Sequence, residues 1–489
     1  MKLRKLLISI ALISLIATSL PAAAFAADAP YEAYTYNYYR DSVPLPAPFL
    51  PERYVTGEQL GVGAFKDPND VYVTDDGSVY ILDSGNNRIV LTDGAWRSAS
   101  VIDGFMNEGQ KDTFNNPNGL HVGTEGIYVA DTDNNRVVVL SRSGELLRIV
   151  QSPKSDVLPA DFKFAPLKLT VDEAGRLFVV ARGIYEGLMQ FDEKGVFIGY
   201  AGTISVQQTF ADRLWKMLST DAQRARMQLF IPTEFSNVDI DDKGFVYATS
   251  VDPGSQTPIR RLNPSGQDVL KRFGYFPVMG DVRFRQFGNN AGPSRLTDIK
   301  VLSGGMYVAM DSYRGRLFAY NDEGELLYAF GGKGTQTGLF NTPVAVERVG
   351  ERLIVLDRGK RNLVVFEPTL FGKTVHAATT ERYNGNDAEA VALWREVLRI
   401  NSNYDLAYLG IGKSLLMERK NKEAMEYFKL GMQRDYYSLA YKRYRREVMQ
   451  EHFGTFMSAA AIALAGLAAF FIAKRLRALR GAKRETGAL

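Results

Sequence analysis

Five polar residues stand at matching places in a repeated part of the chain, where each short run of β-forming residues begins. They are Asn69, Asp70, Asn118, Asn237 and Asp298, with Gly119, Lys168 and Thr297 at the same places. Carboxylate and amide oxygens are the ligands that Ca²⁺ takes in proteins. If the repeats bring these residues together, they could hold a calcium ion, although a polar cavity filled with water would use the same residue types.

A second set of candidate residues combines aromatic and arginine side chains in the stretch 275–292. It contains Phe276, Arg283, Phe284 and Arg285. Aromatic and arginine residues are enriched among those that dominate binding energy at protein interfaces. The set therefore favours recognition of a partner, and the alternative is that it covers the helical repeats described below.

Two further motifs are better explained by structure than by ligand binding. The loop DTDNNR at 131–136 has alternate oxygen ligands, but Arg136 stands where a calcium loop needs Gly and Arg142 where it needs Glu. We interpret it as a turn in which Asp131 accepts local hydrogen bonds. The Gly-rich run 330–334 lacks the spacing of a phosphate loop and is interpreted as a connection between repeats.

The histidine and cysteine content argues against several kinds of catalysis. The chain has three histidines, His121, His376 and His452, and no cysteine. Disulfides and thiol catalysis are therefore excluded. A three-histidine zinc site would need these distant residues to converge, and no motif brings a serine nucleophile to a histidine. We expect no catalytic residues.

The elements that must position these residues repeat along the chain. In the clearest copy, 114–150, turn residues separate four short aliphatic runs, which predicts four antiparallel strands. Such sheets cannot bury both faces alone, so the copies are expected to pack radially as a mainly β, six-bladed propeller. The six copies align on their second strands at 79–91, 127–140, 177–191, 245–262, 306–320 and 353–366.

The ring of blades is predicted to close with a strand from the N-terminal part of the chain. The sixth copy ends at Phe366 without a fourth strand, whereas 54–57 matches 328–331, the fourth strand of the fifth copy. Closure by 54–57 would remove an exposed sheet edge, and the propeller would span 52–370. The Tyr- and Pro-rich stretch 27–51 is predicted to be an extended linker that does not pack.

Two connections between blades are longer than the repeat requires. The connection 203–230 has apolar residues at helical spacing, which predicts one or two short amphipathic helices. The other connection is 275–292. Both join the last strand of one blade to the first strand of the next, so we expect both on the face that carries the turns between second and third strands.

The D-x-x-N-N-R turns, the proline before a first strand and the Phe-Gly before the next blade resemble the NHL-repeat family of six-bladed propellers. The resemblance covers about 54–368 and is strongest in the first two blades, since Ala181 and Ser250 replace the turn aspartate in blades three and four. Members of this family include extracellular sensor domains, RNA-binding platforms, and relatives with lactonase or amidating-lyase activity. The resemblance implies the fold, and Ca²⁺ at the channel mouth if the chain is lactonase-like, but does not select an activity.

The chain after the propeller is predicted to be helical. A 34-residue self-match pairs Ala390 with Ala424 and Trp394 with Phe428, and it resembles the tetratricopeptide repeat (TPR) over 371–452. Residues 453–473 contain no charge and are long enough to be a transmembrane helix. The basic tail 474–489 favours a cytoplasmic C-terminus.

The N-terminus has the features of a secretory leader, 1–26: three basic residues, an apolar run from Leu6 to Ile16, and Ala24-Phe25-Ala26 at a cleavage site. The formal net charge of the chain is +4. The leader carries three positive charges and the tail a net five, so the part between them is left at −4. Binding of nucleic acid is therefore rejected.

These features favour a single-pass cell-membrane protein with its N-terminus outside. Its propeller and TPR-like repeats would form a binding or scaffold module for a protein, a peptide or a polymer of a bacterial cell surface. The alternative is a metal-dependent hydrolase of the lactonase (gluconolactonase) type that uses the channel mouth.

Overall fold

The structure, a computed structural model, describes residues 29–485 apart from 156, 159–161, 203–233, 253–254 and 288–290. The predicted leader and the predicted helices of 203–230 therefore lie outside the described residues. The chain divides into two compact units, Met1–Tyr383 and Asn384–Leu489.

The first unit is a six-bladed β-propeller, as predicted. Three strands precede the first complete blade: β1 (Ala33–Tyr36), β2 (Ser42–Leu45) and β3 (Phe49–Thr56). The strands of blades one to three are β4 (Asp70–Val73), β5 (Ser78–Asp83), β6 (Arg88–Asp93), β7 (Ala99–Ile102), the small hairpin β8 (Phe105–Asn107) and β9 (Gln110–Asp112), β10 (Gly119–Val122), β11 (Ile127–Asp131), β12 (Arg136–Leu140), β13 (Leu146–Val150), β14 (Pro166–Val171), β15 (Leu177–Ala181), β16 (Leu188–Phe191) and β17 (Phe197–Ala201). Those of blades four to six are β18 (Phe235–Ile240), β19 (Val246–Ser250), β20 (Ile259–Leu262), β21 (Leu296–Val301), β22 (Tyr307–Asp311), β23 (Arg316–Tyr320), β24 (Leu326–Gly331), β25 (Pro343–Val349), β26 (Arg352–Asp357) and β27 (Asn362–Pro368).

The first strands of neighbouring blades pack on one another around the central axis. Middle strands are covered on both faces by neighbouring blades, so every residue of β11 is buried. Such strands are continuous aliphatic runs for this reason. The ring is held where its ends meet by a shared core, in which Val79 and Ile81 of the first blade pack with Ile354 and Leu363 of the sixth.

Strand β3 closes the ring as the fourth strand of the sixth blade, which confirms the predicted closure. It pairs antiparallel with β27 from Phe49, opposite Pro368, to Thr56, opposite Asn362. The closing strand is longer than the sequence pattern indicates and begins near Phe49, which is fully buried.

The stretch before β3 differs from the sequence prediction, because it packs. Strands β1 and β2 form a hairpin, and Tyr34 of β1 pairs with Ala329 of β24, so the fifth blade becomes a six-stranded sheet. Tyr31 and Tyr34 are buried. The physical reason is that these tyrosines cover aromatic side chains at the edge of the blade, with the Tyr31 ring 5.4 Å from that of Phe330.

In the first, second, fifth and sixth blades the turn after the second strand has a buried aspartate, which holds the turn as interpreted from the sequence. Asp131 is fully buried. Its carboxylate accepts hydrogen bonds from Arg136 Nε at 2.8 Å, Asn134 Nδ2 at 2.9 Å and the backbone N–H of Asn115 at 2.7 Å. Asn135 completes the turn with a left-handed φ of 55°, a conformation that asparagine tolerates.

Helix α1 (Leu370–Asn384) follows β27, and its His376 contacts Tyr328 of the fifth blade and Phe49 of the sixth. His376 of this helix hydrogen-bonds the hydroxyl of Tyr328, and its ring lies 5.8 Å from those of Tyr328 and Phe49. Burial lowers the pKa of His376 to about 4, and Arg348 adds to this effect. The imidazole is therefore neutral in the folded protein at neutral pH.

Replacing His376 with phenylalanine is expected to reduce the loss of stability on acidification. Between pH 6.5 and about 4 the unfolded chain binds a proton at His376 that the folded chain does not, so unfolding becomes easier as the pH falls. This group alone contributes up to about 3 kcal/mol by pH 4. Melting temperatures of both proteins at pH 7 and pH 4.5 measure the effect, and identical acid dependence would contradict it.

The second unit contains α2 (Asp387–Ile400), α3 (Asp405–Met417), α4 (Asn421–Leu430), α5 (Arg434–Glu451) and α6 (Phe453–Glu485). Each of α2 to α4 packs on the next helix. Gly410 and Gly412 of α3 allow close approach, because a Cβ would lie 2.4 Å from Trp394 and 2.6 Å from Phe428. The part of α6 from Phe453 to Arg477 is exposed, and it is long and apolar enough to cross a membrane.

Candidate functional site

The first strands bring four polar residues to the axis of the propeller. Asp70, Lys168, Asn237 and Asp298 occupy equivalent registers, opposite Leu82, Val180, Thr249 and Met310 of their second strands. We call these four residues the entrance layer. Asp70, Asn237 and Asp298 line one interior cavity of about 30 Å³, so these three of the predicted positions converge. That volume holds about one water molecule.

Protein groups satisfy most of the entrance layer. Asp70 accepts a hydrogen bond from the backbone N–H of Leu120 at 2.9 Å, and its other carboxylate oxygen lies 2.7 Å from Lys168 Nζ. Asp298 accepts the N–H of Val346. Burial raises the pKa of Asp70 and raises that of Asp298 well above its usual range, while Lys168 acts in the opposite direction on both.

Asn69 and Asn118 lie next to this layer and connect blades. Asn69 Nδ2 donates to Asn118 Oδ1 at 3.1 Å, and Arg358 donates to Asn69 Oδ1 at 2.9 Å. Asn118 in turn donates to Thr132 Oγ1 at 3.0 Å. These amides therefore join the first, second and sixth blades at the channel entrance.

These contacts fit a calcium ion poorly. The ammonium of Lys168 already neutralises Asp70, and the amide oxygens of Asn69 and Asn118 accept hydrogen bonds from protein groups. Ca²⁺ needs six to eight oxygen ligands, most of which would have to be released from these partners. Among the residues that the structure describes, no group of three or more His, Asp or Glu side chains is placed to hold a metal.

A second polar layer, which sequence reasoning missed, lies two positions further along the first strands. It contains Tyr72, His121, Asp239, Lys300 and Glu347, and we call it the inner layer. Side chains two residues apart point to the same side of a strand. The signal was therefore present in the sequence. Tyr72, Asp239 and Lys300 each follow a residue of the entrance layer by two positions, and His121 follows the equivalent Gly119 by two.

The inner layer has one buried lysine between two carboxylates. Lys300 Nζ lies 2.9 Å from Glu347 Oε1 and 3.5 Å from Asp239 Oδ2. Burial raises the pKa of Glu347 to about 7, against the effect of Lys300. Burial also lowers the pKa of His121 to about 3, with a smaller contribution from Lys300. His121 is therefore a neutral hydrogen-bonding group at neutral pH.

A cavity of about 800 Å³ opens beside the inner layer, and Lys300, Glu347 and His121 are among its lining residues. Its rim consists of the turns between first and second strands. Asp75, Glu173 and Asp242 are exposed there, and no ion pair or hydrogen bond of these carboxylates exists among the described residues. We call this end of the propeller, which also carries the turns between third and fourth strands, the cavity face. The lining of the cavity also contains Arg142, Lys300 and Arg348, but its eight Asp and Glu residues outnumber these three bases. Its chemistry therefore suits cationic groups.

The stretch 275–292 is not confined to the predicted face. It begins next to the β23–β24 turn, where Lys271 pairs with Asp322 at 2.7 Å and the Phe273 N–H donates to the Glu323 carbonyl. It ends next to the β22–β23 turn, where Arg314 donates to the Pro293 carbonyl at 3.1 Å. These turns lie at opposite ends of a blade, so the prediction of a single face is wrong for this stretch.

The aromatic and arginine residues of this stretch separate into two groups. Phe276 lies 6.3 Å from Tyr36 and Arg283 lies 2.6 Å from Asp41, so both contact the β1–β2 hairpin. Phe284 is half-buried and Arg285 is exposed. The structure therefore brings Phe276 and Arg283 to the hairpin, and within the described residues Arg285 makes no ion pair or aromatic contact with it.

An exposed aromatic patch lies where the hairpin and this stretch meet. Tyr38 has its ring 5.4 Å from that of Tyr39 and 5.3 Å from that of Tyr275, and Tyr39 is 64% exposed. The patch follows Tyr36, and Thr35 hydrogen-bonds the carbonyl of Leu326 where β24 begins. Since β24 begins at the cavity face, the aromatic patch lies at that end of the fifth blade.

Comparison with known proteins gives one family match and several similar solved structures. The family described as NHL repeat matches residues 65–90. A virginiamycin B lyase from Staphylococcus aureus is 12% identical with a TM-score of 0.38, and the match covers 62% of this chain and 96% of the lyase.

Two proteins of Bacteroides thetaiotaomicron are also similar. One, of unknown function, is 12% identical with a TM-score of 0.40, over 69% of this chain and 75% of that one. The other is the extracellular domain of a hybrid two-component system, 13% identical with a TM-score of 0.38, over 68% of this chain and 39% of that one. By its own strand topology the chain is a six-bladed β-propeller protein, and part of its first blade matches the NHL repeat.

Proposed function

We propose that this protein is a membrane-anchored binding or scaffold protein whose cavity face recognises a protein or peptide segment rich in basic side chains. The observation that carries the proposal is the position of the 800 Å³ cavity, with its exposed carboxylate rim, at the same end of the propeller as the aromatic patch. Carboxylates attract and orient basic side chains, and tyrosines supply rigid apolar contact area.

The helices of the second unit support a protein-binding role. Ala390 and Trp394 of α2 and their 34-residue equivalents in α4, Ala424 and Phe428, are all buried. Equivalent burial of matched positions is what a repeat of paired helices requires. We include TPR-like repeats in the proposal as a second contact surface for a protein partner.

Helix α6 is the proposed membrane anchor, with the propeller on the extracytoplasmic side. The leader-like residues 1–26 are the reason for this orientation. The charge difference across α6 is small, because five basic residues lie within 434–446 and six within 474–484. Because basic residues lie on both sides of α6, the charge asymmetry across this helix does not by itself determine its orientation.

Neutralising the rim of the cavity is expected to weaken binding of a basic peptide. With Asp75→Asn, Glu173→Gln and Asp242→Asn together, the affinity of the purified full chain for a fluorescent nona-lysine peptide should fall by about tenfold or more, because three exposed charges that attract the peptide are lost. Fluorescence anisotropy measures the affinity, and added salt should reduce the difference.

The matched control neutralises three exposed carboxylates at the opposite end of the propeller, with Glu58→Gln, Glu108→Gln and Glu186→Gln. This variant should bind the peptide as the parent does. Equal loss in both variants would mean that only net charge matters, and it would remove the cavity face from the proposal. Tighter binding of a neutral or anionic polysaccharide than of the peptide would favour a cell-surface polymer instead.

A further inference from the structure

One face of α5 carries basic side chains that have no partner in the described part of the chain. Lys442, Arg445 and Arg446 are three and four residues apart, which places them on the same side of a helix. All three are exposed, and none makes an ion pair or hydrogen bond among the described residues. By contrast, Arg443 points to the neighbouring helix and donates to the carbonyl of Leu416 at 3.3 Å.

The same side of the helix becomes apolar as it approaches α6. Met449 is 58% exposed and Phe453 is 61% exposed. Together with the three basic residues and Gln450 they line a groove of about 480 Å³. The face therefore changes from cationic to apolar in the direction of the apolar helix.

Geometry places this face at the surface of any membrane that α6 crosses. α5 ends at Glu451 and α6 begins at Phe453. At 1.5 Å per residue, Arg446 is about 10 Å and Lys442 about 16 Å along a helix from Phe453. The headgroup layer is roughly 5–8 Å deep, and an exposed charge acts over about 8–10 Å beyond it at physiological salt.

We propose that the face formed by Lys442, Arg445 and Arg446 binds the headgroups of anionic phospholipids, while Met449 and Phe453 contact the acyl boundary. The proposal rests on membrane anchoring by α6. Solvation alone would account for the charges, but not for exposed Met449 and Phe453 on the same side. An acidic protein is less favoured as the occupant because the apolar end of the face adjoins the candidate membrane helix.

The absence of cysteine allows a single reporter to be placed on this face. In the full chain, Gln450→Cys labelled with a fluorophore should be quenched by headgroup-nitroxide lipid more strongly in nanodiscs of 30% phosphatidylglycerol in phosphatidylcholine than in phosphatidylcholine alone. Reversing Lys442, Arg445 and Arg446 to glutamate should reduce the difference in quenching between the two lipid compositions by about tenfold or more.

The control reverses three exposed basic residues of α2 and α4, with Arg395→Glu, Lys422→Glu and Lys429→Glu, and should keep the preference. Equal quenching in both lipids, or a preference that survives reversal on α5, would overturn the lipid proposal. A chain that alkaline carbonate extracts from membranes would overturn the anchoring itself. An impermeant maleimide on intact cells, applied to the same cysteine, reports on which side α5 lies.

Discussion

Replacing Asp281 with alanine is expected to lower the free energy of unfolding of the propeller by about 3–5 kcal/mol. Asp281 is buried, and its carboxylate lies 2.6 Å from Arg316 Nη1. It also accepts hydrogen bonds from the hydroxyls of Tyr36, at 2.8 Å, and Tyr34. Without it, two tyrosine hydroxyls and the partly buried Arg316 lose their partner. A buried donor or cation left unsatisfied is more costly than the pair is favourable.

Urea unfolding of the purified chain measures this loss, and an exposed pair supplies the control. Asp103 and Lys111 are 3.1 Å apart, but their side chains are 67% and 59% exposed. Asp103→Ala should change stability by less than about 1 kcal/mol, because solvent screens such a pair. A similarly small effect for Asp281→Ala would mean that water replaces the carboxylate, and that the β1–β2 hairpin does not depend on it.

Deleting residues 29–45 is expected to lower the free energy of unfolding by about 5 kcal/mol or more. The deletion removes β1 and β2, uncovers the edge of β24, and exposes the surface that Tyr31 and Tyr34 cover. Tyr31 also donates a hydrogen bond to the carbonyl of Phe49 in the closing strand. From its composition alone, this stretch would be expected to be dispensable.

Two comparisons define the outcome of this deletion. Deleting residues 52–58 removes most of β3 and should have a still larger effect, because the ring then opens at β27. Tyr34→Ala should account for much of the effect of the longer deletion, whereas Tyr39→Ala, at an exposed position, should not. An unchanged melting temperature after deletion of 29–45 would show that the hairpin does not stabilise the fifth blade.

The repeated part of the fold could be predicted from sequence because each blade carries its own local signals. Aspartate turns, alternating apolar runs and the missing fourth strand of the last copy identify six blades and the closure by β3. The packing of the hairpin could not be predicted in this way. It depends on contacts such as that of Tyr34 with Asp281, which are 247 positions apart in the chain. The composition of a tyrosine-rich stretch is also equally compatible with a linker.

The candidate site was predictable in position but not in chemistry. Asp70, Asn237 and Asp298 converge because equivalent positions of a radial repeat must do so. What surrounds them depends on single residues that break the repeat. One is Lys168, which stands where the first, fourth and fifth blades carry Asp or Asn, and which neutralises Asp70. The rim of the cavity at the opposite end of the propeller is formed by ordinary turn residues, so the cavity can be recognised only in the assembled ring.

Closure by β3 also sets the order of events when the protein is made. Thr369, just beyond β27, contacts the carbonyl of Ala47, just before β3, and these groups are 322 positions apart. At about 5–20 residues per second, the ribosome needs roughly 15–60 s to add the residues between them. During this time the closing strand exists without a partner. The pairing of β3 with β27 can therefore form only after the sixth blade has been synthesised. Because this pairing joins segments so far apart in sequence, we expect it to be a slow step of folding.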